Sequence, residues 1–269
     1  MRKVDVAVIG AGTAGLNARS EVAKSGGSVV LIEHGPYGTT CARVGCMPSK
    51  LLVAAAERAR AVRDAPTFGV HAAGGLEIDG RAVMARVQRE RDRFAGGMGR
   101  ATEGLPEEQR IRGHARFVGP TSLEAEGERI EAGAVVIAAG SSPWLPPPFD
   151  DLAERVLTSD TIFELEDLPA SLAVIGTGVI ALELGQAMAQ LGVAVAFFNP
   201  FDDLGPFSDP ELMAAARSIL DAELELHLET KIEEARADAD GLRLLWRAAD
   251  GTRHERCFAQ VLVAAGRRP

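Results

Sequence analysis

The chain opens with a short, nearly continuous apolar run over residues 4–9, broken only by Asp5. Such a run predicts a central parallel strand covered on both faces. The turn Gly10-Ala11-Gly12-Thr13-Ala14-Gly15 follows, then a helical pattern over 16–25 and a second apolar strand over 29–32 that ends in Glu33. The pattern then recurs. Gly176, Gly178 and Ala181 repeat Gly10, Gly12 and Gly15 at a constant offset of 166, between apolar strands at 172–175 and 193–198. The same offset carries Glu33 onto Asn199. A second pair of segments matches as well: Ala138-Ala139-Gly140-Ser141-Ser142-Pro143 and Ala264-Ala265-Gly266-Arg267-Arg268-Pro269 each follow an apolar strand, at 135–137 and 261–263.

Between the repeats, residues 47–63 carry Leu51, Leu52, Ala55, Ala59 and Val62 at the spacing of one apolar helix face. Residues 64–80 are rich in glycine and turn formers and predict a loop. Residues 81–100 predict an amphipathic helix whose other face is mostly arginine and is expected to be solvated. Residues 111–130 alternate and contain Gly119-Pro120 and Glu126-Gly127, which predicts short antiparallel strands beside the main sheet; residues 220–246 alternate in the same way. Pro146-Pro147-Pro148 marks a boundary. The expected fold is α/β, two tandem Rossmann-like domains with small antiparallel β insertions, over residues 1–149 and 150–269.

Composition narrows the partners. The net charge of -9 leaves no basic excess to neutralise phosphates, which argues against nucleic acid. No apolar run is long enough to span a membrane. The amino terminus superficially resembles a signal peptide, but Asp5 interrupts the run and glycines end it, so a cytoplasmic, soluble protein is expected. Three cysteines cannot form a disulfide framework, and no His/Cys cluster has the spacing of a metal site.

The glycine turns carry the first chemistry. Glycines permit a tight turn and close backbone approach, the following helix points its N-terminus at a pyrophosphate, and an acid 18 residues past Gly15 can reach a ribose hydroxyl. Two such units imply two dinucleotides, or one site and a decayed copy.

The stretch 39–50, TTCARVGCMPSK, carries the second. Residues five apart are rotated by about 140° on a regular helix, so Cys41 and Cys46 cannot share a helix face. Pro48 fits best in a first turn, which predicts that a helix begins near Cys46, with Cys41 in the irregular loop before it. Cys46 would then lie near the positive end of a helix dipole, which favours thiolate. Lys50 follows one turn later and is one of only four lysines. Beside a nucleotide fold, these residues read as a redox dithiol.

The chain resembles the class I pyridine nucleotide-disulfide oxidoreductases, dihydrolipoamide dehydrogenases above all. The resemblance rests on Gly10 to Gly15 with Glu33, on Thr40-Cys41-x4-Cys46-x-Pro48-Ser49-Lys50, on the 138–143 segment, on Gly176 to Glu183, and on Gly266-Arg267-Arg268-Pro269. It implies FAD bound by Gly10, Gly12, Gly15, Glu33, Thr40, His114, Ala115, Ala139 and Gly140. It implies a nicotinamide cofactor bound by Gly176, Gly178, Asn199 and Gly266. Cys46 would face the flavin as a charge-transfer thiolate and Cys41 would exchange with the disulfide substrate. Lys50, paired with Glu183, would lie near flavin N5.

The chain also departs from the pattern. Thr39 stands where glycine is usual, and Arg43 where asparagine is usual. Asn199 replaces the acid of NADH-preferring members, yet Asp202 and Asp203 follow and no arginine appears before Arg217, which favours NAD over NADP. Family members continue well beyond residue 269 with a ribitol-binding acid, a dimerisation domain and an acid/base His-Glu pair. The chain therefore reads as a truncated piece of a homodimeric enzyme acting on a small or lipoyl-type disulfide, with activity of the piece itself left open. Mercuric or glutathione-type reductases and a non-catalytic nucleotide-binding fragment are the alternatives. Cys257 reads as a packing residue.

Overall fold

The structure is a computed structural model and describes residues 1–71 and 73–269. Residue 72, part of the loop expected over 64–80, lies outside the described residues. The chain divides into two compact units, residues 1–47 with 90–141 and residues 48–89 with 142–268.

The first unit is built on β1 (Arg2–Ile9), α1 (Thr13–Lys24) and β2 (Val29–Glu33). A one-turn helix, α2 (Thr40–Val44), then leads into α3 (Cys46–Asp64), which from residue 48 onward belongs to the second unit, as does the first part of α4 (Gly80–Glu103). Strands β3 (Arg110–Arg112), β4 (Arg116–Phe117), β5 (Ser122–Ala125) and β6 (Glu128–Ile137) complete one six-stranded sheet in the order β3-β2-β1-β6-β5-β4. β3, β2, β1 and β6 run parallel, and β5 and β4 continue the sheet antiparallel. The short strands expected beside the main sheet are thus part of it. Ile111 is the reason for β3: it is buried against Ile32, its register partner.

One face of this sheet packs Ala7, Val30, Ile32, Leu123 and Ile130 together. The other packs Val8, Val29 and Leu31 against Leu16, Ala18 and Val22 of α1. Both faces being covered is why β1 and β2 read as continuous apolar runs.

The second unit repeats the plan. After β7 (Ser142–Pro143) and β8 (Leu157–Thr158) come β9 (Ser171–Ile175), α5 (Val179–Gln190) and β10 (Ala194–Phe198). Helix α6 (Pro210–Asp221) precedes β11 (Glu225–His227). The alternating pattern of β12 (Lys231–Asp238), β13 (Gly241–Arg247) and β14 (Arg253–Phe258) forms a separate antiparallel sheet. β15 (Gln260–Val263) returns to the main sheet, whose order is β11-β10-β9-β15-β8, all parallel, and β16 (Arg267–Arg268) pairs with β7.

On one face of that sheet Leu172, Val174 and Leu262 pack with α5 and with Leu52, Ala56, Met84 and Val87. On the other, Ala173, Ala196 and Val261 meet Leu242, Leu244 and Trp246 of the antiparallel sheet. The arginine face of α4 is mostly exposed as expected, but Arg91 is buried and pairs with Asp92 at 2.8 Å.

Candidate functional site

The two glycine turns are superimposable in their bonding. Gly10 and Gly176 both adopt left-handed φ values, 102° and 107°. Gly10 donates its N–H to Ile32 O at 2.8 Å, and Gly176 does the same to Phe198 O at 2.8 Å. A Cβ on Gly10 would sit 2.2 Å from the Ala138 carbonyl oxygen, and one on Gly176 would sit 2.7 Å from that of Ala264. The second sequence repeat therefore has a physical cause. The backbone after β6 and the backbone after β15 each press on the glycine that opens a turn, where a side chain would collide.

Gly15 is the helix-packing glycine: a Cβ there would meet Gly10 O at 1.8 Å. At Gly12 and Gly178 nothing lies within 4 Å of a Cβ, so both backbones face open space at the first turn of a helix. That is the geometry that admits a pyrophosphate. The residues of both turns fit a dinucleotide.

The strand-end residues differ. Glu33 is half-buried; its Oε2 accepts from Ala11 N and its Oε1 from Gly35 N, both at 2.7 Å. A carboxylate anchored on the turn in this way has lone pairs left for a ribose diol. Asn199, at the matching place in the second unit, is buried. Its amide is spent inside the protein: Nδ2 donates to Thr177 Oγ1 at 2.6 Å and to Asp203 Oδ1. Asp203 itself is exposed and, with Thr177, Gly178, Asn199 and Lys231, lines a cavity of about 770 Å³. Gly266 lines the same cavity. Sequence comparison by offset pointed to Asn199 and passed over Asp203, because the carboxylate arrives from four residues further along.

Of the remaining expected FAD residues, Ala139 and Gly140 follow β6, with Gly140 at φ 74°. Thr40 is the first residue of α2. Ala115 packs against the sheet core, and the exposed His114 stacks on His34 with ring centroids 4.1 Å apart.

The cysteine pair is built by a break between two helices. Cys41 lies in α2, not in an irregular loop as its spacing suggested, and Cys46 is the first residue of α3. Gly45 separates them; a Cβ there would lie 3.1 Å from the Thr40 carbonyl oxygen and 3.2 Å from the Cys41 Cα, so a side chain would require the neighbouring backbone to give by a few tenths of an ångström. The break at Gly45 removes the requirement that the two cysteines follow one continuous helix, whose rotation would hold them apart. Thr39 caps α2, its Oγ1 accepting from Ala42 N at 3.1 Å. Both cysteines are thiols in the structure, Cys41 half-buried and Cys46 exposed. The hydrogen bond to Cys46, reinforced by burial, pushes the Cys41 thiol above its ordinary pKa.

Four residues after Cys46 on α3, Lys50 Nζ pairs with Glu183 Oε1 of α5 at 2.7 Å. Burial pushes the Glu183 carboxyl up, but hydrogen bonds from Lys50 and Ser49 together outweigh it and hold the group below the usual carboxylate range. The Ser49 contribution was not foreseen from the sequence. Half-buried Cys257 sits on β14.

A family model described as pyridine nucleotide-disulphide oxidoreductase matches residues 4–269. The chain belongs to the pyridine nucleotide-disulphide oxidoreductase family. Among curated relatives it is 35% identical over 272 residues to a dihydrolipoyl dehydrogenase of Thermus scotoductus, covering 100% of this chain and 58% of that one. It is 33% identical to dihydrolipoyl dehydrogenase 3 of Pseudomonas putida, covering 100% and 59%. A mercuric reductase of Lysinibacillus sphaericus is 31% identical, covering 98% and 48%. The chain thus spans about half to three-fifths of the length of these relatives. A flavoprotein disulfide reductase from Escherichia coli, RclA, shares the fold with a TM-score of 0.80 over 98% of this chain and 56% of its own, at 24% identity. Among the described residues, no helix is long and apolar enough to cross a membrane.

Proposed function

We propose that this family member carries the electron-transfer part of an FAD- and NAD(P)H-dependent disulfide reductase, most like a dihydrolipoyl dehydrogenase. The observation that carries the reading is the contact between Cys41 and Cys46 across the break between α2 and α3, in a chain that also holds two dinucleotide-type turns. Residues 1–149 are assigned to FAD and 150–269 to the nicotinamide cofactor, with a cytoplasmic homodimer as the working form. Mercury reduction is the second reading, favoured by the mercuric reductase relative, which shares 31% identity.

Bound FAD would supply a two-electron carrier between nicotinamide and sulfur. Gly12 leaves the backbone open to its pyrophosphate, Gly10 and Gly15 permit the close packing that shapes the turn, and Glu33 holds a carboxylate for its ribose. Lys50, fixed by Glu183, places a cation one helical turn beyond Cys46. The dithiol performs the exchange. The Cys41 thiolate attacks the substrate disulfide and expels one substrate thiol; Cys46 then attacks the mixed disulfide, expels the second thiol and closes the Cys41–Cys46 bond. Two electrons and two protons convert that bond back to two thiols. Because Cys46 holds the Cys41 proton in place, the first step needs a base, which the resemblance assigns to a His-Glu pair of a second subunit.

Titration of the purified protein with FAD tests the first requirement. The expected result is saturable binding with a protein-bound flavin absorbance spectrum; a colourless protein that takes up no flavin contradicts the proposal.

A further inference from the structure

We propose that Asp203, held by Asn199 and Thr177, is the residue that selects a nicotinamide cofactor with a bare 2′-hydroxyl over one with a 2′-phosphate. This inference rests on the reading of the second unit as a nicotinamide nucleotide site.

The two turns hold their strand-end residues in opposite ways. In the first unit the strand-end carboxylate of Glu33 is anchored on the glycine turn through Ala11 N. Ala11 corresponds to Thr177 at the offset of 166. In the second unit the strand-end residue is an amide, and its polarity is reversed. Asn199 Nδ2 donates to Thr177 Oγ1 at 2.6 Å and to Asp203 Oδ1. Thr177 Oγ1 in turn donates to the Asp203 carbonyl at 2.7 Å and approaches Asp203 Oδ1 at 3.4 Å. The 199 side chain therefore serves as a bracket. It brings in a carboxylate from the following loop and fixes it to the turn, where Glu33 stands in the first unit.

Both side-chain contacts of Asp203 among the described residues fall on Oδ1, which leaves Oδ2 to face a ligand. Asp203 is exposed and lines the cavity that Gly176, Gly178 and Gly266 share. A ribose diol donates hydrogen bonds to such a carboxylate. A 2′-phosphate would instead set like charges against each other. The neighbouring cation Arg217 is engaged by Asp202 and, at 3.7 Å, by Asp221. Lys231 lines the same cavity and is the group that could favour a phosphate.

The test is calorimetric titration of the FAD-supplemented protein with NAD+ and with NADP+, oxidised forms that cannot reduce the flavin. The wild type is expected to bind NAD+ at least about tenfold more tightly. Asp203→Asn should weaken NAD+ about tenfold and shrink the preference, and Asp203→Arg should reverse it. Because Asp203 is exposed, both variants should retain the wild-type thermal midpoint within a few degrees. A wild type that prefers NADP+ overturns the inference, as does a preference unchanged in both variants while NAD+ still binds. If the wild type binds neither nucleotide, the nicotinamide site itself falls, and the inference with it.

Discussion

The Cys41 thiol lies against Cys46, and the hydrogen bond between them, reinforced by burial, raises its pKa above the ordinary thiol range. The folded pKa of Cys41 is raised, so the contact stabilises the fold below the ordinary thiol pKa of about 8.5 and loses that contribution as pH rises through the folded value. Cys46→Ala removes the largest cause of the shift. In that variant the pH profile of Cys41 alkylation, followed by peptide mass, should move down toward the ordinary thiol range; an unmoved profile would show that burial alone sets the shift. Part of this scale was legible: the spacing of Cys41, Cys46 and Lys50 stood out in the sequence, the resemblance paired Lys50 with Glu183, and that ion pair forms at 2.7 Å. Asp203 was legible only as one of two acids following Asn199, not as a group fixed to the turn. Its place depends on a side-chain bracket from Asn199 and Thr177, and hydrogen bonds between side chains leave no periodic trace in a sequence.

At the scale of elements, α2 is the piece that spacing alone misread. A five-residue helix has little intrinsic stability, so it persists here through its ends. Thr39 caps it while adopting φ 54°, a left-handed value that a β-branched residue reaches only under strain. The hydroxyl bond to Ala42 N offsets part of that cost. Thr39→Val keeps the shape and removes the acceptor, leaving a buried N–H unpaired. It should lower stability by about 1–2 kcal/mol in thermal or chemical denaturation, whereas Thr39→Ser should stay close to the wild type. A Thr39→Val protein as stable as the wild type would show that the cap contributes nothing.

The longer elements were easier to foresee. The strands of the two central sheets follow from continuous apolar runs, and α3 begins at Cys46 as Pro48 suggested. Helix α6 escaped notice although Asp209 caps it and Pro210 opens it, because its pattern abuts the alternating strands that follow. β3 looked like part of an antiparallel insertion; three residues are too few to show a period, and burial of Ile111 decides its parallel pairing.

For the whole molecule, the repeat at offset 166 was the most informative signal, since it records backbone geometry that must be kept. A Cβ on Gly10 or Gly176 would meet the same kind of carbonyl, at 2.2 and 2.7 Å, and the two segments of the second repeat supply those carbonyls. What repetition could not show was which tertiary neighbours each segment would choose. Residues 48–89 cluster with the second unit, where Leu52, Ala56 and Met84 are buried against α5 and β9. Apolar spacing identifies the buried face of a helix without identifying what covers it.

The central claim is that Cys41 and Cys46 form a redox couple in series with a bound flavin. Anaerobic titration of the FAD-loaded protein with NADH, followed by flavin absorbance, tests it most directly. The account predicts uptake of about two NADH per flavin in the wild type, one for the disulfide and one for the flavin, and about one in Cys46→Ala. Uptake of about one NADH by the oxidised wild type, equal to that of Cys46→Ala, would contradict it.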